Sequence, residues 1–345
     1  MSEIRKDYFT DRLVIFHTSK KKTDIEEEMQ TLENKCSYCQ GNESSTPPAD
    51  LVLVQSGNSL AKLSDTDNEF VKDWSVRVFS HKSPIMTQTP NEGYSDSPLF
   101  SEPAFGYHYI IVATPNHDKT LSNLDIDQWI NVLATIQDKM RWLYGKKGVS
   151  YVAVYSRNRA DNKITSNHAH FEAITFPRLP PILDQEATTA QKSMHELGTC
   201  PMCNVLNVET GGPRQILSTD LYLAFSPWAS SYPYEFWIVP KRHQTSFLKT
   251  SQKEIGDLAL MIRSTLGGLS KALNNPAFNL IFHTSSEKKT TKQIHWHIEI
   301  YPGHQINEGL NLGTGIFNNS ISPEQAAEIL GSKSRKELAH LIGVE

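Results

Sequence analysis

The sequence predicts an α+β protein built from two copies of one unit, and three observations carry that reading. All four cysteines of the 345 residues fall in two C-x-x-C pairs, Cys36/Cys39 and Cys200/Cys203. Each pair is followed, in the same order, by a histidine in a proline-bearing turn and then by an H-x-H-x-E stretch. His117 precedes His168, His170 and Glu172 in the first copy; His243 precedes His295, His297 and Glu299 in the second. The turn histidine and the H-x-H lie 51 positions apart in one copy and 52 in the other, which points to an internal duplication.

The segments between these landmarks correspond too. Y-H-Y-I-I-V-A (107–113) and Y-E-F-W-I-V (234–239) are apolar and aromatic runs of strand character leading into the histidine turns. Residues 125–143 and 251–269 repeat apolar side chains every three or four positions, as amphipathic helices do, with Asp125 and Ser251 placed to cap them. Y-V-A-V-Y-S (151–156) and F-N-L-I-F-H-T-S (278–285) read as buried strands, each followed by a polar loop and the H-x-H strand. Each half is therefore strand, helix, strand, loop, strand. Prolines in P-R-L-P-P-I-L (177–183) are expected to stop regular structure and mark the join, which divides the chain into 1–185 and 186–345. The first copy has 78 positions between its second cysteine and its histidine and the second copy 40. The excess falls in residues 45–100, and T-Q-T-P-N-E-G-Y-S-D-S-P (87–98) reads as an exposed loop.

Composition narrows the function. Hydrophobic residues make up 38% and charged residues 21%, the formal charge is −4, and no broad basic surface for nucleic acid is implied. No apolar run approaches the roughly 20 residues of a membrane helix, and the charged first thirty residues do not read as a signal peptide. A soluble, cytoplasmic protein is expected, with any phosphate held locally.

In such a compartment a C-x-x-C pair holds a metal or does redox chemistry more often than it forms a disulfide. One pair is weak evidence; two, each followed by spaced histidines, point to zinc, which takes thiolates and imidazoles four at a time. Cys36, Cys39, His117 and His168 form one set, and Cys200, Cys203, His243 and His295 the other. His283 is a spare candidate, read as a packed or substrate-side residue. If the first histidine of each H-x-H goes to metal, His170 and His297 are left over. Two imidazoles on one strand face could brace each other, but one fixed by a backbone hydrogen bond beside a phosphate can attack phosphorus and form an N–P bond.

Longer stretches carry a resemblance. R-K-D-Y-F-T-D-R-L-V-I-F, C-S-Y-C-Q-G-N-E-S-S-T-P-P, T-P-N-H-D-K-T-L, Y-P-Y-E-F-W-I-V-P-K-R-H, H-W-H-I-E-I-Y-P-G and G-L-N-L-G-T-G-I-F-N-N-S-I-S-P-E-Q-A-A-E-I-L resemble the galactose-1-phosphate uridylyltransferase family of the histidine-triad superfamily. The likeness spans residues 4–330 and is nearest to the ADP-glucose phosphorylase-like members with two zinc sites. It implies a duplicated histidine-triad-like fold, each half an antiparallel sheet with helices, and a homodimer. It also implies zinc at the two sets above, iron being the alternative at one, and His170 as the nucleophile, with His297 a supporting counterpart. The implied reaction passes a nucleoside monophosphate from a nucleotide sugar to His170 and on to a sugar 1-phosphate or inorganic phosphate.

The chain departs from the family's H-P-H-x-Q motif at Ala169 and Glu172. A glutamine amide can donate to a phosphoryl oxygen, whereas an ionised glutamate repels it. Glu172 must then be protonated, matched to a cation such as Lys163 or Arg157, or turned away. The loop before the motif, S-R-N-R-A-D-N-K-I-T-S-N, has no glycine, so Asn158, Lys163, Thr165 and Ser166 are expected to bind phosphate in place of backbone amides. Lys20 to Lys22 stand where relatives carry arginines. Two rival readings use the same residues: a hydrolase in which Glu172 directs water, and a non-catalytic, zinc-stabilised nucleotide-binding protein.

Overall fold

The structure is a computed structural model that describes residues 2–17, 36–56, 59–90, 92–158, 168–287, 292–303 and 309–344. In chain order its strands are β1 (Ser2–Lys6), β2 (Leu13–His17), β3 (Ala49–Ser56), β4 (Ser59–Leu63), β5 (Trp74–Ser80), β6 (Ser95–Asp96), β7 (Leu99–Pro103), β8 (His108–Val112), β9 (Tyr151–Asn158), β10 (His170–Phe176), β11 (Gln215–Ser218), β12 (Tyr222–Phe225), β13 (Phe236–Pro240), β14 (Phe278–His283) and β15 (His297–Pro302). The described helices are α1 (Ile126–Tyr144), α2 (Pro181–Leu197), α3 (Pro201–Glu209), α4 (Gln252–Leu273), α5 (Gly309–Thr314) and α6 (Pro323–Leu341).

The expected recurrence is present, with β8, α1, β9 and β10 reappearing in order as β13, α4, β14 and β15. The α+β class with antiparallel sheets holds. The halves' strands nevertheless do not form separate sheets. Eleven strands join edge to edge in the order β11-β12-β13-β15-β14-β9-β10-β8-β5-β3-β4, and the seam between the copies is the antiparallel β9–β14 pair, Tyr155 opposite Ile281. A smaller sheet, β2-β1-β7-β6, stands beside it.

Strand alternation sorts the faces of the large sheet. Ile111, Val154, Phe171, Ile238, Phe282 and Ile298 point to one face, where Trp129, Leu133 and Ile136 of α1 and Leu258, Ile262 and Leu266 of α4 cover them in a single core spanning both halves. The H-x-H histidines and their glutamates point to the other. Because β10 and β15 are three strand spacings apart, the two motifs sit about 14 Å from each other on one continuous surface.

The prolines at 177–181 interrupt regular structure as expected, since β10 ends at Phe176 and 177–180 are neither helix nor strand; α2 then starts at once, with Pro180 at its N-cap position and Pro181 in its first turn, where a missing N–H costs no hydrogen bond. Within the extra residues 45–100, β3, β4 and β5 extend the sheet edge beyond β8. Exposed residues 92–98 fit the loop expectation, with only the short β6 in them. The caps differ as well. Ser251 and Glu254 form a reciprocal capping box at α4, whereas Asp125 occupies the N-cap of α1 without a side-chain cap bond. Ser251→Ala is therefore expected to lower stability by about 1 kcal/mol, and Asp125→Ala by less, both measured as shifts in thermal unfolding midpoint.

Candidate active site and metal-donor clusters

The sheet brings each predicted donor set together. Cys36 follows the described break at 18–35, Cys39 closes the turn after it, His117 lies in the turn after β8, and His168 just precedes β10. Their donor atoms all lie within 4.8 Å of one another, as do those of Cys200, Cys203, His243 and His295. In the first set His117 Nδ1 is 3.3 Å from His168 Nδ1, and sulfur-to-nitrogen distances run from 3.5 Å (Cys39 to His117) to 3.7 Å (Cys39 to His168). In the second, Cys203 Sγ is 3.5 Å from His243 Nδ1 and 3.6 Å from His295 Nδ1. A tetrahedral ion with bonds of about 2.05 Å to nitrogen and 2.3 Å to sulfur has edges of about 3.4 Å between nitrogens and 3.6 Å between nitrogen and sulfur. Both quartets fit that tetrahedron.

The electrostatics fit too. Burial, and then the neighbouring Cys36, push the Cys39 thiol up to about 12; burial and Cys200 push Cys203 up to about 11. Paired sulfurs of this kind need a cation before both can ionise. Burial lowers His168 and His295 to about 4, which keeps them neutral as ligands must be. Each is also aimed by its other nitrogen: His168 Nε2–H donates to the Thr114 carbonyl at 2.6 Å and His295 Nε2–H to that of Pro240 at 2.9 Å, leaving Nδ1 for the cluster.

His170 is oriented the opposite way. Its Nδ1–H donates to the carbonyl of His168, 2.6 Å away, which fixes the tautomer so that Nε2 carries the lone pair. The ring is half-buried, and Tyr38, between the two cysteines, packs edge-on against it with centroids 5.3 Å apart. Val112 faces it from β8.

Glu172 is held ionised, and among the described residues its partners are His108 and Tyr155 rather than Arg157, Lys163 lying outside them. Its Oε2 accepts from His108 Nε2 at 2.9 Å and from the Tyr155 hydroxyl at 2.8 Å. Burial alone would raise its pKa, but these two hydrogen bonds and the charges of His108 and His170 hold it at about 2. His108 is itself fixed: its Nδ1 accepts from the Ile85 N–H at 3.4 Å, so Nε2 carries the proton, and His81 stacks flat on it at 4.2 Å. Sequence reading missed His108, His81 and Tyr155. His108 reaches Glu172 diagonally from β8, Tyr155 stands directly opposite it on β9, and His81 packs on His108; these relations are set by register and tertiary packing.

Of the residues expected to bind phosphate, Lys163, Thr165 and Ser166 lie outside the described residues, as do Lys20 to Lys22. Asn158 ends β9 on the face of Val154, opposite to that of Tyr155. Strand alternation puts Arg157, which is exposed, on the face of His170 instead.

The second half repeats the frame with a different filling. His297 Nδ1–H donates to the His295 carbonyl at 2.9 Å, but its Nε2 is 3.2 Å from Glu299 and 3.7 Å from Glu186 of α2, and Trp237 stacks on its ring. His283 bonds Glu186 at 3.2 Å and lies 3.4 Å from Glu299. Glu186, His283 and His297 thus make a third group of donors, largely buried.

Fold and site together define the chain as one with the architecture of the nucleotidyl-transferring enzymes. A solved uridylyltransferase superposes with a TM-score of 0.80 at 22% identity, covering 97% of this chain and 99% of its own. The crystal structure of an Arabidopsis thaliana ADP-glucose phosphorylase with bound ADP-glucose superposes with a TM-score of 0.72 at 23% identity, covering 96% and 99%. Sequence gives the same relatives. ADP-glucose phosphorylase of A. thaliana is 25% identical over 344 residues, 95% of this chain and 92% of that protein. Galactose-1-phosphate uridylyltransferase of Thermotoga maritima is 24% identical over 341 residues, 96% and 98%. No protein-family profile matches. The chain is a homologue of the galactose-1-phosphate uridylyltransferases and ADP-glucose phosphorylase.

A carboxylate held at about 2, below its ordinary 4.5, stabilises the fold fully above about pH 4.5 and loses that contribution as pH falls toward 2. The thermal midpoint of the wild type should exceed that of Glu172→Gln at pH 6, and the gap should narrow steadily between pH 5 and pH 3. A gap independent of pH would show that Glu172 is not ionised in the native state.

Proposed function

We propose that the chain is a nucleotidyltransferase that moves a nucleoside monophosphate between a nucleotide sugar and a sugar 1-phosphate, or inorganic phosphate, through a nucleotidyl-His170 intermediate. The observation that carries the reading is the His170 Nδ1–H bond to the His168 carbonyl, which directs the Nε2 lone pair away from the strand. Nε2 attacks the α-phosphorus, an N–P bond forms, and the P–O bond to the departing sugar 1-phosphate breaks with its electron pair going to that leaving group. A phosphate oxygen of the acceptor then attacks the same phosphorus and returns the pair to Nε2. Arg157 and, among residues not described, Lys163, Thr165 and Ser166 are the phosphate-binding side chains in this reading, whereas Asn158 faces the other side of β9.

Glu172 favours transfer over hydrolysis. A phosphate acceptor is already anionic and needs no base, whereas water does. A carboxylate near 2, with one oxygen already accepting two hydrogen bonds, is a poor base at neutral pH.

Zinc is the metal proposed for Cys36, Cys39, His117 and His168, and for Cys200, Cys203, His243 and His295, the thiolate-imidazole set that ion favours. When bound it closes each quartet and fixes the loops around the H-x-H strands. The reading extends to halves at 1–185 and 186–345, and to a cytoplasmic homodimer working in nucleotide-sugar or galactose metabolism. No described helix is long and apolar enough to cross a membrane.

Brief incubation with ADP-glucose or UDP-glucose radiolabelled at the α-phosphate should leave an acid-labile, base-stable label on the intact protein. His170→Ala should carry none, and its turnover should fall by about 10³-fold or more. Label that persists in that variant removes His170 from the role, and nucleoside monophosphate released without acceptor would favour the hydrolase. Elemental analysis should find zinc, with Cys39→Ser and Cys203→Ser each losing about one equivalent.

A further inference from the structure

The two H-x-H-x-E motifs lie on equivalent strands and face the same surface, yet their glutamates do different things. Glu299 sits 3.2 Å from Nε2 of His297, the second histidine of its own motif. Glu172 instead gives Oε2 to His108 and Tyr155. Register locates the difference: on the β9/β14 side Tyr155 gives way to Ile281, but Tyr301 supplies Glu299 with a hydroxyl in its place, so the donor that the second half lacks is on the β8/β13 side. Glu172 lies opposite Ile110 of β8, and Glu299 lies opposite Trp237 of β13. Two residues before these partners stand His108 in the first half and Glu235 in the second.

The two side chains offer opposite chemistry at one position. His108 has Nδ1 occupied by the Ile85 N–H, so the nitrogen facing Glu172 is a donor. Glu235 is buried and takes the N–H groups of Ser231 at 2.7 Å, Tyr232 at 3.2 Å and the Trp237 indole at 3.2 Å. With both oxygens accepting these N–H groups, it turns no donor toward Glu299. Burial, with the nearby Glu299 charge, pushes the Glu235 pKa up to about 7.

Taking His170 as the nucleophile of the preceding section, we propose that position 108/235 decides which of the two motifs reacts. His108 is a positioning residue that draws the Glu172 carboxylate onto itself and so off the His170 ring, whereas Glu235 leaves Glu299 to bond the His297 ring. Duplication supplied two equivalent histidines, and one cross-strand neighbour assigned them different work.

Three variants of the full-length protein test this: His108→Glu, His108→Gln and the double variant His108→Glu/Glu172→Gln. In a crystal structure of His108→Glu, Glu172 should lie within hydrogen-bond distance of His170 Nε2, as Glu299 does of His297. This readout needs no activity, and Glu172 still bonded to Tyr155 and away from His170 would overturn the proposal. With α-phosphate-labelled nucleotide sugar, the rate of His170 labelling should fall by about tenfold to 100-fold in His108→Glu, the scale of a lost charge-assisted hydrogen bond. It should stay within about threefold of wild type in His108→Gln, whose amide keeps a donor near the place of Nε2, and recover in the double variant, which has no carboxylate at 172 to capture the ring. Equal loss in the single and double variants would mean that residue 108 acts through general packing and would overturn the proposal. Should His108→Glu not fold, His108→Met supports the same comparison with and without Glu172→Gln. A wild type that takes no label refutes the nucleotidyl-His170 reading instead, and the crystal structure still decides the present one.

Discussion

One strand carbonyl governs the site. The oxygen of His168 accepts Nδ1–H of His170, and that bond turns an ordinary strand imidazole into one with a defined tautomer and a directed lone pair. His168 uses its own ring in the reverse sense, Nε2–H on the Thr114 carbonyl and Nδ1 toward the sulfurs. Two histidines two positions apart are thereby given complementary nitrogens by backbone alone. The ladder that holds them is continuous, since the Ala113 N–H donates to Ala169 at 2.9 Å where β8 and β10 approach the metal-donor cluster. Anything that moves the cluster moves His168, and through its carbonyl moves His170. That coupling gives a four-donor structural site a direct bearing on chemistry it never touches.

The second half shows how little of this frame is sufficient for reactivity. His295 and His297 make the same two backbone bonds, to Pro240 and to His295. His297 nevertheless has carboxylates of Glu299 and Glu186 around Nε2, Trp237 on its face and 1% of its surface exposed. A nucleophile needs a solvent-side approach and an unshared pair; His297 has neither, and a charged partner at Nε2 holds it as a proton donor. Correct tautomers arise from the duplicated strand, and access arises from what the neighbouring strands place above it.

What the sequence made legible follows from range. Strands, helices, the Ser251 cap and both donor quartets rest on local periodicity or on residue types with few alternative uses, and these were readable in order along the chain. The partners of Glu172 were not. His108 lies 64 residues away and Tyr155 17, and each reaches the carboxylate only because β8, β10 and β9 pair in one particular register. A one-residue slip would point either side chain into the helix-covered core. The same blindness to register explains Asn158, which is adjacent in sequence to Arg157 but on the other face of β9. The prolines at 177, 180 and 181 were legible as a break after β10 but not as the start of α2, since a residue that breaks a helix interior also starts one well.

The seam between the halves ties the surroundings of Glu172 to the second copy. A single cross-strand row runs Ile110, Glu172, Tyr155, Ile281, Glu299 and Trp237, through β8, β10, β9, β14, β15 and β13. Tyr155, whose hydroxyl helps hold Glu172, is therefore backed by a strand of the second half, and burial there pushes its ionisation well above the usual tyrosine range so that it stays a donor. Remove β14 and β9 becomes a sheet edge, with its ladder groups open to water and its twist released. The second half thus serves the surface around His170 and Glu172 by keeping β9 an interior strand of one continuous eleven-stranded sheet.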